Sequence, residues 1–137
     1  MDSPGQVTIP LLSVLSAKDR AKVLANAKRR TYEPGDVVVR EGDPGSHLYF
    51  VTAGRANVEQ AGPGWVGRLE PGDFFGELAL IEEHGRTATV TAEDDLECLI
   101  IPAWEFRALL KEHPELAFEL LHALIARLHR REHHPRS

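Results

Sequence analysis

The side chains able to do chemistry concentrate in Phe74-Phe75-Gly76-Glu77-Leu78-Ala79-Leu80-Ile81-Glu82-Glu83-His84-Gly85-Arg86-Thr87-Ala88-Thr89-Val90. Arg86 carries a planar guanidinium, the group best shaped to hold two phosphate oxygens at once. Thr87 sets a hydroxyl beside it, and Glu77 supplies a carboxylate that can accept hydrogen bonds from sugar hydroxyls. Glu77–Glu82 follows a turn and reads as a single helical turn, too short to pack as a helix in its own right. Its first backbone N–H groups lack intrahelical partners, which suits an anion such as phosphate. An arginine, a carboxylate and free amides within ten residues are what a nucleotide monophosphate needs. Each residue alone also has a plainer role. Arg86 can be a surface charge paired with Glu82 or Glu83, Glu77 a carboxylate stabilised by the helix dipole, and Thr87 a strand former.

Other parts of the chain offer little reactive chemistry. There is no serine nucleophile elbow, no His-Glu-x-x-His pattern and no zinc set, so no enzyme activity is expected. Cys98 is the single cysteine, which excludes an internal disulfide framework and a thiolate cluster. Within Leu96-Glu97-Cys98-Leu99-Ile100 it reads as buried packing. His129 and His133 have a spacing compatible with a metal, but nothing completes a site, and no metal is expected beyond a solvated contact. Trp65 and Trp104 read as core or rim packing, with base stacking left open for Trp65 because it adjoins Val66. Glu93-Asp94-Asp95 with Glu97 reads as a solvated turn and strand edge.

The elements that must position the reactive stretch follow from pattern. Ser16 can cap a helix with Asp19 three residues on, and Ala17, Ala21, Leu24 and Ala27 share one face. Lys28, Arg29 and Arg30 are expected to close that helix at the negative end of its dipole. From Tyr32 to Ile101 the chain changes to short β-branched or aromatic runs: Val37–Val39, Leu48–Val51, Trp65-Val66, Ala88–Thr91 and Leu99–Ile101. Glycines punctuate them, which points to an antiparallel sandwich or jelly roll. Glu-Pro-Gly-Asp occurs twice, at Glu33–Asp36 and Glu70–Asp73, and fits a type II turn with glycine at the positive-φ position. Pro102 opens a helix through Trp104, Phe106, Leu109 and Leu110. His113-Pro114 breaks it, and a last helix runs from Pro114 to about Glu132.

The whole is α+β, with the β part central. Its 137 residues fit one domain, 1–137 with a core over about 9–132, and 42% hydrophobic and 27% charged residues are ordinary for a globular fold. A net charge of −5 makes a broad nucleic-acid-binding surface a poor expectation. No apolar run approaches the ~20 residues of a membrane span. Met1-Asp2-Ser3-Pro4-Gly5 has no signal-peptide character, so a soluble, cytoplasmic domain is expected.

The ordered set Gly76-Glu77-Leu78-Ala79-Leu80 and Arg86-Thr87-Ala88-Thr89-Val90 resembles the phosphate-binding cassette of cyclic-nucleotide-binding domains, the family of catabolite activator protein and the protein kinase A regulatory subunits. Tyr32–Asp36, Arg40-Glu41-Gly42-Asp43-Pro44-Gly45, Leu48–Val51 and Gly54 are similar to the family's early strands and turns. Pro102–Leu110 and Pro114–Leu128 look like its two closing helices. The resemblance implies an antiparallel β jelly-roll barrel flanked by an N-terminal helix and two C-terminal helices, acting as a stand-alone, non-enzymatic sensor. Cyclic AMP is the implied ligand and cyclic GMP the alternative, with no resident cofactor. By resemblance, Glu77 binds the ribose 2′-hydroxyl and Arg86 the cyclic phosphate. Gly76 and the amides of Leu78 and Ala79 form the phosphate cradle, with Thr87 and Ala88 beside it. Val58 and Val66 line the base, and Arg127, Arg131 and Glu132 sit where the last helix reaches it. Gly85 departs from the proline frequent in kinase-type members, which is expected to loosen the loop. Nine residues remain after Leu128, so no DNA-binding part is expected within this chain.

The alternatives are the ligand-binding part of a Crp/Fnr-type transcription regulator, a scaffold that has lost its ligand, and, least favoured, a cupin-like metal enzyme. That enzyme needs a cluster of two histidines and a carboxylate, which His47 and His84, far apart in turn-like contexts, do not supply. The last helix carries two stripes. Leu116 and Leu120 are expected to dock on the barrel. Ala117, Leu121, Leu124 and Leu128, at a/d spacing, are expected to form a homodimer seam. The alternative buries both stripes in one chain beneath the Trp104–Leu110 helix.

Overall fold

The computed structural model describes residues 9–81 and 84–133, without the side chains of His84 and residues 130–133. A 3-10 turn at Pro10–Val14 precedes helix α1, Ala17–Asn26. Ser16 caps α1, its Oγ accepting from the Asp19 N–H at 3.1 Å. The helix ends at Ala27, whose backbone is already extended. Lys28, Arg29 and Arg30 therefore do not close the helix, contrary to expectation. They form strand β1, Lys28–Tyr32, paired antiparallel with the strand Leu96–Pro102 from Lys28↔Ile100 to Tyr32↔Leu96. Pairing with an apolar strand outweighs the weak local preference of a Lys-Arg-Arg run, and the exposed basic side chains suit a sheet edge.

The remaining strands are β2 Val37–Val39, β3 Pro44–Gly45, β4 His47–Ala53, β5 Ala56–Gln60, β6 Gly64–Leu69, β7 Phe74–Phe75, β8 His84–Gly85, β9 Thr89–Ala92 and β10 Leu96–Pro102. They build two four-stranded sheets, ordered β1-β10-β4-β7 and β2-β9-β5-β6, and a small β3-β8 ladder. Every pairing is antiparallel. Helices α2, Ala103–Glu112, and α3, Pro114–His133, follow. The class is α+β, a jelly roll flanked by helices, as the strand and turn pattern implies.

Both Glu-Pro-Gly-Asp segments make the same turn. Gly35 and Gly72 have φ of 90° and 99°, and Asp36 and Asp73 each accept from the turn's Glu N–H at 2.8 Å. The Gly N–H groups donate to the Ala92 and Val51 carbonyls, which ties the turns to separate sheets.

The β10-β4-β7 sheet is buried on both faces, which explains the unalternating Leu-Ile-Ile run. Phe50, Phe74, Leu99 and Ile101 face the helices, packing with Leu12, Phe106 and Leu116. Val51, Phe75, Leu96 and Cys98 face the barrel interior with Val58, Leu69 and Val90. Cys98 is fully buried, as its apolar neighbours suggest. Trp65 and Trp104 are 46% and 66% exposed, so neither is a core residue.

The register of α3 corrects the expected seam. Leu116 is fully buried, and Leu120, Ala123 and Leu124 pack on the same helix-side core. Leu124 thus belongs to the docking face, and the outward stripe is Phe118, Leu121 and Ile125, all more than half exposed, with Leu128 at its edge beside the barrel opening. Both stripes are not covered within the chain. The patch that receives α3 includes Leu11, Leu12 and Leu15, on and beside a 3-10 turn that helical periodicity does not foresee. Among the described residues no helix is long and apolar enough to cross a membrane.

Candidate functional site

Arg86 follows β8 directly, and its backbone is clamped to the facing turn. Its N–H donates to the Asp43 carbonyl and its carbonyl accepts from the Gly42 N–H, both at 2.7 Å. Gly85 pairs with Pro44 in the β3-β8 ladder, so this stretch is pinned rather than loosened. The Arg86 guanidinium donates from Nη2 to the His47 carbonyl at 3.2 Å and stands over the Tyr49 ring, 5.5 Å from its centroid. Arg86, Thr87 and Ala88 lie between strands, and β9 begins at Thr89, one residue later than the Ala88–Thr91 run suggests.

Glu77 opens a 3-10 helix, Glu77–Leu80, capped by Gly76 at φ 89°. This glycine is needed twice over. A side chain would be strained at that φ, and its Cβ would lie 2.5 Å from the His47 carbonyl oxygen and 2.6 Å from Arg86 Nη1. The helical turn is shorter than the expected Glu77–Glu82. Glu82 and Glu83, and with them the pairing of either with Arg86, lie outside the described residues. Of the two amides expected to cradle phosphate, that of Ala79 donates to the Gly76 carbonyl at 3.2 Å.

The two sides meet at a cavity of ≈ 820 Å³, inside the ~300–1,000 Å³ range of small-molecule sites. Gly76, Glu77, Leu78, Arg86, Thr87, Ala88, Val58, Val66 and Arg127 border it. Ala79 borders an adjoining open recess of ≈ 30 Å³ also lined by Gly76, Leu78, Gly85 and Arg86. Barrel closure thus brings together every sequence-expected site residue whose side chain is described. The side chain of Arg131 lies outside the described part, as does that of Glu132.

Arg127 is placed differently from expectation. Instead of reaching a base, its Nη1 donates to Glu77 Oε1 at 2.7 Å, with the two side chains 20% and 17% exposed. Its Nη2 donates to the Phe74 carbonyl, and its guanidinium lies 4.7 Å from the Phe74 ring centroid. A carboxylate this far withdrawn from water needs a partner, and α3 provides one.

Of the other lining residues, Trp65 has a place beside Val66 that leaves base stacking open, and Leu124, Leu128 and Gln60 carried no sequence signal for this site. Leu124 and Leu128 bring α3 to the cavity wall. Trp65 borders it while its indole N–H donates to Asn57 Oδ1 at 3.0 Å. Gln60 lines it and donates from Nε2 to the Thr87 carbonyl at 3.1 Å. A strand-end amide or a helix-facing leucine has no type or spacing to mark it. Among the described residues no group of three or more His, Cys, Asp or Glu is arranged to hold a metal.

Comparison with known proteins agrees with this geometry. Residues 29–113 match the family described as cyclic nucleotide-binding domain. A cAMP-dependent protein kinase regulatory subunit from Eremothecium gossypii is 41% identical over 103 residues, 75% of this chain and 22% of that protein. The chain spans about a quarter of the length of the curated relatives it matches. The Thermus thermophilus catabolite activator protein superposes with a TM-score of 0.76 at 30% identity, covering 90% of this chain and 60% of that one. The N-terminal domain of a Streptomyces coelicolor transcriptional regulator gives 0.71 at 31% identity, covering 95% and 92%. With the match running through the barrel and α2, the chain belongs to the cyclic nucleotide-binding domain family.

Proposed function

We propose that this chain is a cytoplasmic, non-enzymatic sensor module that binds cyclic AMP, and cyclic GMP more weakly. One observation carries the reading: Arg86, just after β8, and Glu77, at the start of a 3-10 turn capped by a left-handed glycine, line a single cavity. Arg86 grips the cyclic phosphate, with the Leu78 amide and Gly76 beside it. Glu77 accepts from the ribose 2′-hydroxyl through the oxygen that Arg127 does not occupy. Val58 and Val66 give the base an apolar wall, which alone does not separate adenine from guanine. The Thr87 hydroxyl can pair with a guanine amino group, which accounts for residual cyclic GMP binding. Preference for cyclic AMP is supported by the relatives named as cAMP-dependent protein kinase regulatory subunits.

The output runs through α3. Its inner face closes the cavity and holds Glu77, while Phe118, Leu121 and Ile125 face outward at a/d spacing and offer a seam to a second copy. A homodimer formed through that stripe would sense the ligand because the same helix carries Arg127.

Thermal unfolding with cyclic AMP, cyclic GMP and 5′-AMP added separately tests the reading. Cyclic AMP at 100 times its dissociation constant is expected to add about 2.7 kcal/mol of stability, cyclic GMP at equal concentration less, and 5′-AMP least. No stabilisation by either cyclic nucleotide at millimolar concentration would overturn it.

A further inference from the structure

Gly45 is a glycine for a different reason from most others in this chain. Gly35, Gly42, Gly54, Gly62, Gly64, Gly72 and Gly76 have positive φ, which explains them by backbone geometry. Gly45 does not, so its backbone would accept an alanine. Its space would not: a Cβ there would lie 2.2 Å from Arg86 Nε, 2.3 Å from Cζ and 2.8 Å from Cδ. The guanidinium occupies the volume that a side chain at position 45 would fill.

The same short segment completes the seat. His47 gives its carbonyl to Arg86 Nη2 at 3.2 Å, and Tyr49 presents its ring face to the cation at 5.5 Å. That ring is itself fixed, stacked on Phe75 at 4.7 Å with planes 10° apart, and the two residues are cross-strand partners in β4 and β7. Phe75 immediately precedes Gly76 and the 3-10 turn, so one ladder aligns the turn and the arginine. The contacts described for this seat are neutral, and they fix the fork without neutralising its charge. An arginine otherwise loses much of its rotamer freedom whenever it must adopt one geometry to bind.

We infer that Gly45 and Tyr49 are positioning residues that hold the Arg86 guanidinium in its phosphate-binding orientation, Gly45 by leaving room and Tyr49 by its ring face. This rests on the proposed role of Arg86 in gripping the ligand phosphate. Both residues act through Arg86 rather than on the ligand.

The test titrates cyclic AMP and adenosine, which lacks the phosphate, into wild type, Gly45→Ala, Tyr49→Phe, Tyr49→Leu and Arg86→Ala, with thermal unfolding of each. Gly45→Ala displaces only the end of a flexible side chain, so its melting temperature should match wild type. Its affinity for cyclic AMP should fall about tenfold or more, the scale of a lost charge-assisted hydrogen bond, while adenosine binding stays unchanged. Tyr49→Phe keeps the ring face and should bind cyclic AMP as wild type does; Tyr49→Leu should lose affinity as Gly45→Ala does. If Tyr49→Leu does not fold, Gly45→Ala and Tyr49→Phe still decide. Wild-type affinity in Gly45→Ala, or equal losses for cyclic AMP and adenosine, would overturn the inference. If Arg86→Ala alone loses cyclic AMP, the seat is refuted and the functional reading stands. If Arg86→Ala also binds normally, both fall.

Discussion

Glu77 and Arg127 form an ion pair 2.7 Å long with only about a fifth of each side chain exposed. Removing one partner leaves the other charge largely buried without compensation. Arg127→Ala should therefore lower stability by about 1–3 kcal/mol in chemical denaturation, below the ~3–5 kcal/mol of fully buried pairs. Under its proposed role, Glu77 also confers a sugar preference. Wild type should bind 2′-deoxy cyclic AMP about tenfold more weakly than cyclic AMP, and Glu77→Ala should bind the two alike by calorimetry. A second residue-scale consequence comes from the barrel interior. Burial, with the Glu97 charge adding, pushes the Cys98 thiol up from 9.0 to about 12. Burial likewise raises the Tyr32 phenol from 10.0 to about 12. The folded state thus keeps protons that the unfolded chain gives up. The stability they contribute is complete below pH 9, falls as pH rises from there, and is exhausted near pH 12. Denaturation at pH 8, 9 and 10 should show this decline, by up to about 1.4 kcal/mol per pH unit per group, and Cys98→Ala should flatten its first part. The Tyr32 hydroxyl is buried without a hydrogen-bond partner, so Tyr32→Phe should be neutral or stabilising.

At the scale of elements, α3 has one face for the cavity and one for solvent. Leu124 lines the cavity and packs on the helix-side core, whereas Leu121 is 54% exposed. Leu121→Glu should leave cyclic nucleotide binding and folding intact while abolishing any ligand-dependent dimer in light scattering. Leu124→Glu should weaken ligand binding and lower the melting temperature. The same change at both sites giving the same result would refute this orientation. The sequence pattern showed that α3 has two apolar stripes and that Leu116 and Leu120 face in, but it put Leu124 on the wrong one. The width of the docking face depends on the receiving surface beside the Pro10–Val14 turn. β1 was hidden for a related reason. Lys28-Arg29-Arg30-Thr31 has neither apolar alternation nor high β propensity and is a strand through its pairing with β10. Features set locally were legible: the Ser16 cap, both Glu-Pro-Gly-Asp turns, and the helix break at His113-Pro114.

At the scale of the whole molecule, one sheet buried on both faces separates two cores, one sealing the helices to the barrel and one lining the ligand side. Phe74 and Phe75 point to opposite cores, so the strand leading into Gly76 and Glu77 is anchored on both sides. This anchors the Gly76–Leu80 turn beside Arg86, and under the proposed function α3 is the element that responds. The charged members of the site were legible because their types and order mark phosphate and sugar chemistry. Gly45, Tyr49 and the His47 carbonyl were not, since a missing side chain, a strand aromatic and a backbone oxygen gain their roles only when the barrel closes. The central claim is that Arg86 holds the ligand through its phosphate. Parallel calorimetric titration of cyclic AMP into wild type and Arg86→Ala tests it most directly. The account predicts a loss of about 2–5 kcal/mol in binding free energy, as for truncated buried charge pairs, with unchanged folding. Arg86→Ala binding within a factor of a few of wild type would contradict it.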